Sequence, residues 1–221
     1  IAVGIPHANS VWIIRNNTHV ATINGSGEFG TSVSVSGDGN TVVGGGPNTY
    51  QGGTSVPYSG FVKVFQYNGS SWGQVGQNII GLQNARFGKA LTLNYNGSVL
   101  SILADNGTYP PINNATNNDT AYIYQNFSGS WSKTASLQAN GGSVSLDNSG
   151  NTLAIGANIY KFTFGTWNFL HHIGLGGSVS LSGDGSTSIS GSAGSGAKIY
   201  KEVSGNWLQI LSNISFSGYC G

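Results

Sequence analysis

Charge is what this sequence has least of. Only 7% of its 221 residues are Asp, Glu, Lys or Arg, against about 25% in an ordinary soluble domain. Net charge is +1, so neither the basic footprint that nucleic acid demands nor an acidic tail is present. Methionine is absent and cysteine occurs once, at Cys220, which excludes an internal disulfide framework and a cysteine metal cluster. No apolar run approaches the roughly 18 residues of a spanning helix, so no membrane span is expected. No signal peptide is visible, and a chain opening at Ile1 without Met reads as processed, excised or partial. Hydrophobic residues still reach 38%, enough for a core, and the polar remainder is neutral: 24 Asn, 30 Ser and 15 Thr, with 36 Gly.

Helical spacing is missing too, and a repeat stands in its place. SVSVSGDGNTVVGG from Ser32, ALTLNYNGSVLSIL from Ala90, SVSLDNSGNTLAIG from Ser143 and SVSLSGDGSTSISG from Ser178 align by eye. Each reads as an alternating strand, a turn with glycine at Gly39, Gly97, Gly150 or Gly185, and a second strand. A third and fourth strand follow in each copy. A second turn glycine (Gly69, Gly129, Gly165, Gly205) precedes a tryptophan that opens the fourth strand (Trp72, Trp131, Trp167, Trp207). For the copy at 28–85 the expected strands are 31–36, 41–45, 60–67 and 72–77. The start of the chain matches strands two to four, with His19 at the tryptophan position, and the end looks like the opening of a first strand.

The expected fold is therefore all-β. It is a β-propeller of about five four-stranded antiparallel blades, with the first blade shared by the N- and C-terminal ends. The blades are A (1–27 plus 215–221), B (28–85), C (86–139), D (140–175) and E (176–214). Closure would place 216–220 alongside 1–4, which leaves Cys220 at the seam, either free or bridged to another chain. The tryptophans, and the aromatics Phe65, Tyr124, Tyr160 and Tyr200, read as filler between blades rather than a stacking row for sugars or bases.

Phe29-Gly30 followed by Gly45-Gly46-Pro47, with Phe87-Gly88 opening the next copy and IAVGIP and LAIGA matching the second half, resembles an FG-GAP repeat. The resemblance implies a propeller similar to the integrin α-subunit head and to secreted FG-GAP proteins, with an adhesive or structural role. It departs from them in its turns. SGDGN, NYNGS, DNSGN and SGDGS lack the alternating oxygen ligands that Ca²⁺ prefers, so no metal is expected, and Asp38 and Asp184 read as turn formers.

Chemistry is sparse. Only seven carboxylates are present: Glu28, Asp38, Asp105, Asp119, Asp147, Asp184 and Glu202. No pair of them is placed by the repeat as a glycosidase requires. His171 and His172 are adjacent and point to opposite faces of a strand. No Gly-x-Ser-x-Gly lies between strand and helix. The expectation is a non-enzyme without cofactor. Nine Asn-x-Ser/Thr sites occur, at Asn16, Asn24, Asn68, Asn96, Asn106, Asn114, Asn118, Asn126 and Asn213, where chance placement would give about five. They point to N-glycosylation and an extracellular or cell-surface location. Long inserts at 47–59 and 106–119 share one face of neighbouring blades, and they carry the candidate ligand residues Tyr50, Tyr58, Tyr109, Pro110 and Pro111. The expected partners are other copies of the chain or extracellular glycans and proteins. A structural or adhesive subunit of an extracellular fibre or matrix and a lectin-like module using the long loops of blades B and C both fit the residues.

Overall fold

The computed structural model describes residues 1–48, 58–105, 119–139, 141–174, 176–192 and 195–214, apart from the side chains of 212 and 213. Sheet follows sheet along the chain. Blade A holds β1 (Ala2–Ile5), β2 (Ser10–Arg15) and β3 (Thr18–Asn24). Blade B holds β4 (Ser32–Val35), β5 (Thr41–Gly46), β6 (Phe61–Tyr67), β7 (Trp72–Gln74) and β8 (Ile79–Ile80). Blade C runs β9 (Ala90–Leu93), β10 (Val99–Ala104), β11 (Asp119–Phe127) and β12 (Ser130–Ala139). Blade D runs β13 (Val144–Leu146), β14 (Thr152–Ile155), β15 (Asn158–Thr163) and β16 (Thr166–His172). Blade E runs β17 (Ser178–Leu181), β18 (Thr187–Ser192), β19 (Gly196–Val203) and β20 (Asn206–Ile214). Each sheet is an antiparallel meander in chain order. Blade A has three strands among the described residues.

One strand departs from expectation. The fourth strand of blade B does not run unbroken through 72–77. β7 pairs with the turn end of β6 and β8 with its loop end. Gly76, at φ +75°, bends the chain between them. The expected turn glycines do adopt positive φ, from 70° to 77° in the first hairpin and from 82° to 101° in the second. Residues with side chains seldom hold those angles.

The core lies between blades. Phe29, Val11 and Ile13 pack with Val42 and Phe61 across A and B. Leu100, Ile102 and Trp131 pack with Val43, Val62 and Phe87 across B and C. Leu103 and Ile123 pack with Leu153 and Ile155 across C and D, and Ala154 and Ile159 meet Tyr200 and Trp207 across D and E. The aromatic series is thus filler, as expected: Trp131 and Trp207 are buried, and Trp72 and Trp167 pack half-buried against the same clusters.

Near the axis the joints are polar. Hydroxyls of one inner strand reach the backbone of the next. Ser32 Oγ donates to Gly88 O at 2.6 Å, and Ser34 Oγ accepts Leu93 N–H at 3.1 Å. Thr92 accepts Leu146 N–H, and Ser143 and Ser145 accept Val179 and Leu181 N–H at 2.7 and 3.0 Å. The Ser-x-Ser alternation of the inner strands is this stitching. A belt of backbone bonds joins the first turns as well: Gly37 N–H to Tyr95 O, Tyr95 N–H to Asn148 O, and Asn148 N–H to Gly183 O.

The Phe-Gly and Gly-Gly-Pro halves of the repeat form a latch. Phe29 is buried and stacked on Phe61, ring centroids 5.7 Å apart. A Cβ on Gly4 would lie 1.9 Å from Gly30 O of the next blade, and one on Gly45 would lie 2.3 Å from Gly88 O. Only glycine fits there. The expected closure by 215–221, Cys220 included, lies outside the described residues.

Candidate functional site

In each meander, the loops between strands two and three and the connections between blades share one face. The hairpin turns share the other. The loop face of blade C gathers four charged side chains. Lys89 stands just before β9, Asp105 just after β10 and Asp119 opens β11, while Arg86 sits in the connection from blade B. Arg86 Nε donates to Asp105 Oδ2 at 2.5 Å, Lys89 donates to Asp105 Oδ1, and Lys89 Nζ reaches Asp119 Oδ1 at 2.6 Å. In a chain with eight Lys and Arg and seven Asp and Glu, these form the only ion-pair network among the described residues.

Local backbone sets this geometry. Arg86 adopts φ +40°, and its N–H donates to the carbonyl of Tyr58, itself at φ +53°. Such conformations are costly for residues with side chains and persist where the surroundings fix them. Asp105 N–H donates to Ala85 O, which ties the end of β10 to the same connection.

The two carboxylates differ. Burial would raise Asp105, but hydrogen bonds from Arg86 and Lys89 outweigh it and hold the carboxyl below its ordinary 3.8. Burial dominates at Asp119, where Lys89 compensates only in part, and its carboxyl is pushed above 3.8. Two neighbouring acids with separated proton affinities and two fixed cations are the ingredients of proton transfer and oxyanion stabilisation. At the position of Lys89 the other copies carry Thr31, Gly142 and Gly177. Gly142 and Gly177, with Ser178, Gly191 and Ser192, line a cavity of about 410 Å³ at the loop end of the inner strands.

The sequence-predicted residues fall differently. Tyr58 is half-buried and braces Arg86 through its carbonyl. Tyr50, Tyr109, Pro110, Pro111, Asn106, Asn114 and Asn118 lie outside the described residues, as does the side chain of Asn213. Asn16, Asn68, Asn96 and Asn126 all sit in or beside hairpin turns on the face opposite the charged cluster. Asn68 Oδ1 accepts the N–H groups of Ser70 and Ser71, Asn96 Oδ1 that of Ser98, and Asn126 Oδ1 that of Gly129. Their Oδ1 atoms are thereby engaged within the turns. Asn24 is exposed at the loop end of β3. Asp38, Asp147 and Asp184 cap their turns, as read from sequence for Asp38 and Asp184. His171 lies tilted against Tyr200 of blade E, ring centroids 5.9 Å apart, while His172 pairs with Asn158 of its own blade.

Sequence reasoning missed the Arg86–Lys89–Asp105–Asp119 cluster. A usable signal existed: one copy alone has a lysine at the rim position and an acid at each end of its insert.

No family model matches the chain, and no curated protein matches it, so the finer likeness to FG-GAP repeats and integrins is not shown. Solved structures do match. A protein of unknown function from Desulfotomaculum acetoxidans aligns with TM-score 0.66 and 13% identity over 95% of this chain and 65% of its own. A putative 6-phosphogluconolactonase from Bacteroides uniformis aligns at TM-score 0.59 and 11% identity, over 91% of this chain and 63% of that one. The periplasmic gluconolactonase of Pseudomonas aeruginosa aligns at 0.62 and 11%, over 99% of this chain and 69% of that one. The chain thus spans about two thirds of the length of the structures it resembles. The fold is propeller-like and all-β. The expectation of a non-enzyme is corrected by these matches. Two of the similar structures carry lactonase names, and a shortage of carboxylates in the sequence was no ground for excluding catalysis on such a scaffold.

Proposed function

We propose that this chain is an extracytoplasmic, N-glycosylated propeller that acts on carbohydrate at its loop face, with hydrolysis of a sugar lactone as the reaction. The observation that carries the reading is the Arg86–Lys89–Asp105–Asp119 cluster on that face. The lactonase names of two structures with this fold, and the glycine-lined cavity beside the inner strands, support it.

In this reading the ionised Asp119 takes a proton from water as the water oxygen bonds to the lactone carbonyl carbon. Lys89 and Arg86 stabilise the oxyanion that forms. The ring C–O bond then breaks, and its oxygen recovers the proton from Asp119 to leave a hydroxy acid. Asp105 holds the two cations in place. Base catalysis requires the ionised carboxylate, so the rate rises with pH through the raised Asp119 pKa.

The test is lactone ring opening, followed by proton release, for the wild type and for Asp119→Asn and Lys89→Met. Loss of about 100-fold or more in kcat/KM in both, with folding unchanged, is the expected result. Wild-type rates equal to buffer, across aldonolactones, would reject the reading.

Glycans on Asn16, Asn68, Asn96 and Asn126 would coat the turn face and leave the loop face open. Peptide mass spectrometry of native material before and after deglycosylation tests this, and unmodified sites throughout would refute it.

A further inference from the structure

Blade D departs from its sister blades at three outer positions, which strand pairing aligns. Phe169, opposite Tyr160, stands where blades B, C and E carry Gln74, Lys133 and Gln209. Phe162, opposite Trp167, stands where C and E carry Asn126 and Glu202. Phe164 opens the turn that begins with Ser128 in C and with Ser204 in E. Phe169 is 59% exposed and Phe164 completely so. Phe162 and Trp167 are half-buried, ring centroids 5.5 Å apart.

Full exposure leaves Phe164 little to contribute to packing. Its φ is +52°, as at Ser128, and Ser204 is at +53°. That conformation suits glycine or asparagine and strains a bulky side chain. Backbone strain of this kind gathers at ligand contacts.

Tyr160 and Trp167 pack towards blade C, and strand alternation puts Phe162 and Phe169 on the same side. Ile123 marks the side of blade C that faces D. Gln125 and Phe127 share that side, as does Ser132 opposite Gln125, and Phe127 is 57% exposed. The outer mouth of the C–D joint thus has one aromatic wall and one wall of amide, hydroxyl and ring. None of these side chains is charged. The neighbouring mouths differ, with Lys133 between B and C and Glu202 between D and E.

We propose that the C–D mouth binds a chain of uncharged sugars. A pyranose ring has an apolar C–H face and a rim of hydroxyls, and the two walls match that division. The C–H face lies on the rings of Phe164 and Phe169, and the rim bonds Gln125 and Ser132. An anionic polymer or an acidic peptide would find no cation here, and a charge buried without a partner is costly. The Phe162–Trp167 pair lies at the turn end of blade D, while Lys89 and Asp119 lie on the loop face. The mouth therefore holds a polymer rather than acting on it.

Affinity electrophoresis of the full chain tests this, in native gels containing hydroxyethylcellulose, galactomannan or soluble starch, with polygalacturonate as the charged counterpart. At least one neutral polymer is expected to retard the chain, and polygalacturonate is not. The double variant Phe164→Ser, Phe169→Gln installs residues that other blades already carry, so the fold is retained. It is expected to weaken retardation about tenfold or more. Phe164→Asn alone is expected to weaken retardation and to raise the melting temperature, because it relieves the strained backbone. Lys89→Met keeps the retardation, which separates this site from the loop face and from lactone hydrolysis. No retardation by any neutral polymer overturns the proposal. So does equal retardation of the double variant, or equal retardation by polygalacturonate, or loss with Lys89→Met alone. A melting temperature lowered by Phe164→Asn would show that the ring serves the fold and would overturn it too. Self-association without polymer that the double variant abolishes would assign the mouth to a second copy instead.

Discussion

Blades C and E share one grammar and differ in their neighbours. In blade C the row Thr92, Ser101, Ile123, Ala135 faces blade D, and Ser101 and Ile123 are fully buried. In blade E the matching row is Ser180, Ile189, Ile199, Leu211, and it lies open. Ile199 stands where Ile123 does, in a row that carries Ile189 and Leu211 where blade C has Ser101 and Ala135. Burial here belongs to the joint and not to the blade, so a residue's contribution depends on whether a blade follows it.

The largest expected contrast is between Ile123→Ala and Leu211→Ala. The first leaves a cavity between C and D and costs about 2–5 kcal/mol. The second, on the open face, costs less than about 0.5 kcal/mol in the monomer. Urea denaturation at low protein concentration checks both, and equal losses would break the comparison.

The next contrast changes sign. Gly45 and Gly191 occupy the same repeat position. A Cβ at Gly45 meets Gly88 O at 2.3 Å, whereas at Gly191 the nearest atom, Gly196 O, is 3.6 Å away. Gly45→Ala is expected to destabilise by about 1–3 kcal/mol. Gly191→Ala, with its nearest contact at ordinary van der Waals distance, is expected to gain about 0.4–1 kcal/mol from the restricted unfolded chain. Paired melts of the two variants decide it.

Charge distinguishes the blades less strongly. Asp105 has a depressed pKa, so its stabilisation is present above 3.8 and is lost as pH falls through the lower folded value. Asp119 works in the opposite sense: its raised pKa makes stability decline as pH climbs from 3.8 through the folded value. Asp105→Asn is expected to cost about 1 kcal/mol at neutral pH, a modest amount because solvent still reaches the cluster. Asp119→Asn removes its own slope. Stability measured against pH separates the two.

The smallest effect is local to blade E. The fully exposed Asp184 is lowered to about 2, first by the hydroxyl of Ser182 and then by the N–H and hydroxyl of Ser186. Ser182→Ala is expected to move that carboxyl back towards 3.8, as followed by NMR titration. An unmoved titration would show that the Ser186 bonds suffice.

The fold was legible because it repeats. Gly39 and its three counterparts announced the first hairpins, and Trp131 and Trp207 announced the joints. The function of the paired serines was not legible, since Ser-x-Ser alternation looks the same whether hydroxyls face water or a neighbouring strand. Nor was the break after β7, which depends on Gly76 taking positive φ in a stretch that otherwise alternates. The candidate site escaped for a different reason. Asp105 and Asp119 are far from Lys89 in sequence, and only the return of β10 beside β9 and β11 brings them to one rim.

The glycine latch has a consequence for how such a molecule grows over generations. Gly4 receives Gly30, and Gly45 receives Gly88. Each contact uses residues from two successive copies and no others. A whole copy added or deleted between blades A and C would therefore leave these glycine latches chemically complete. The number of copies is not written in any one of them, and recombination can change the length of the array without redesigning its parts.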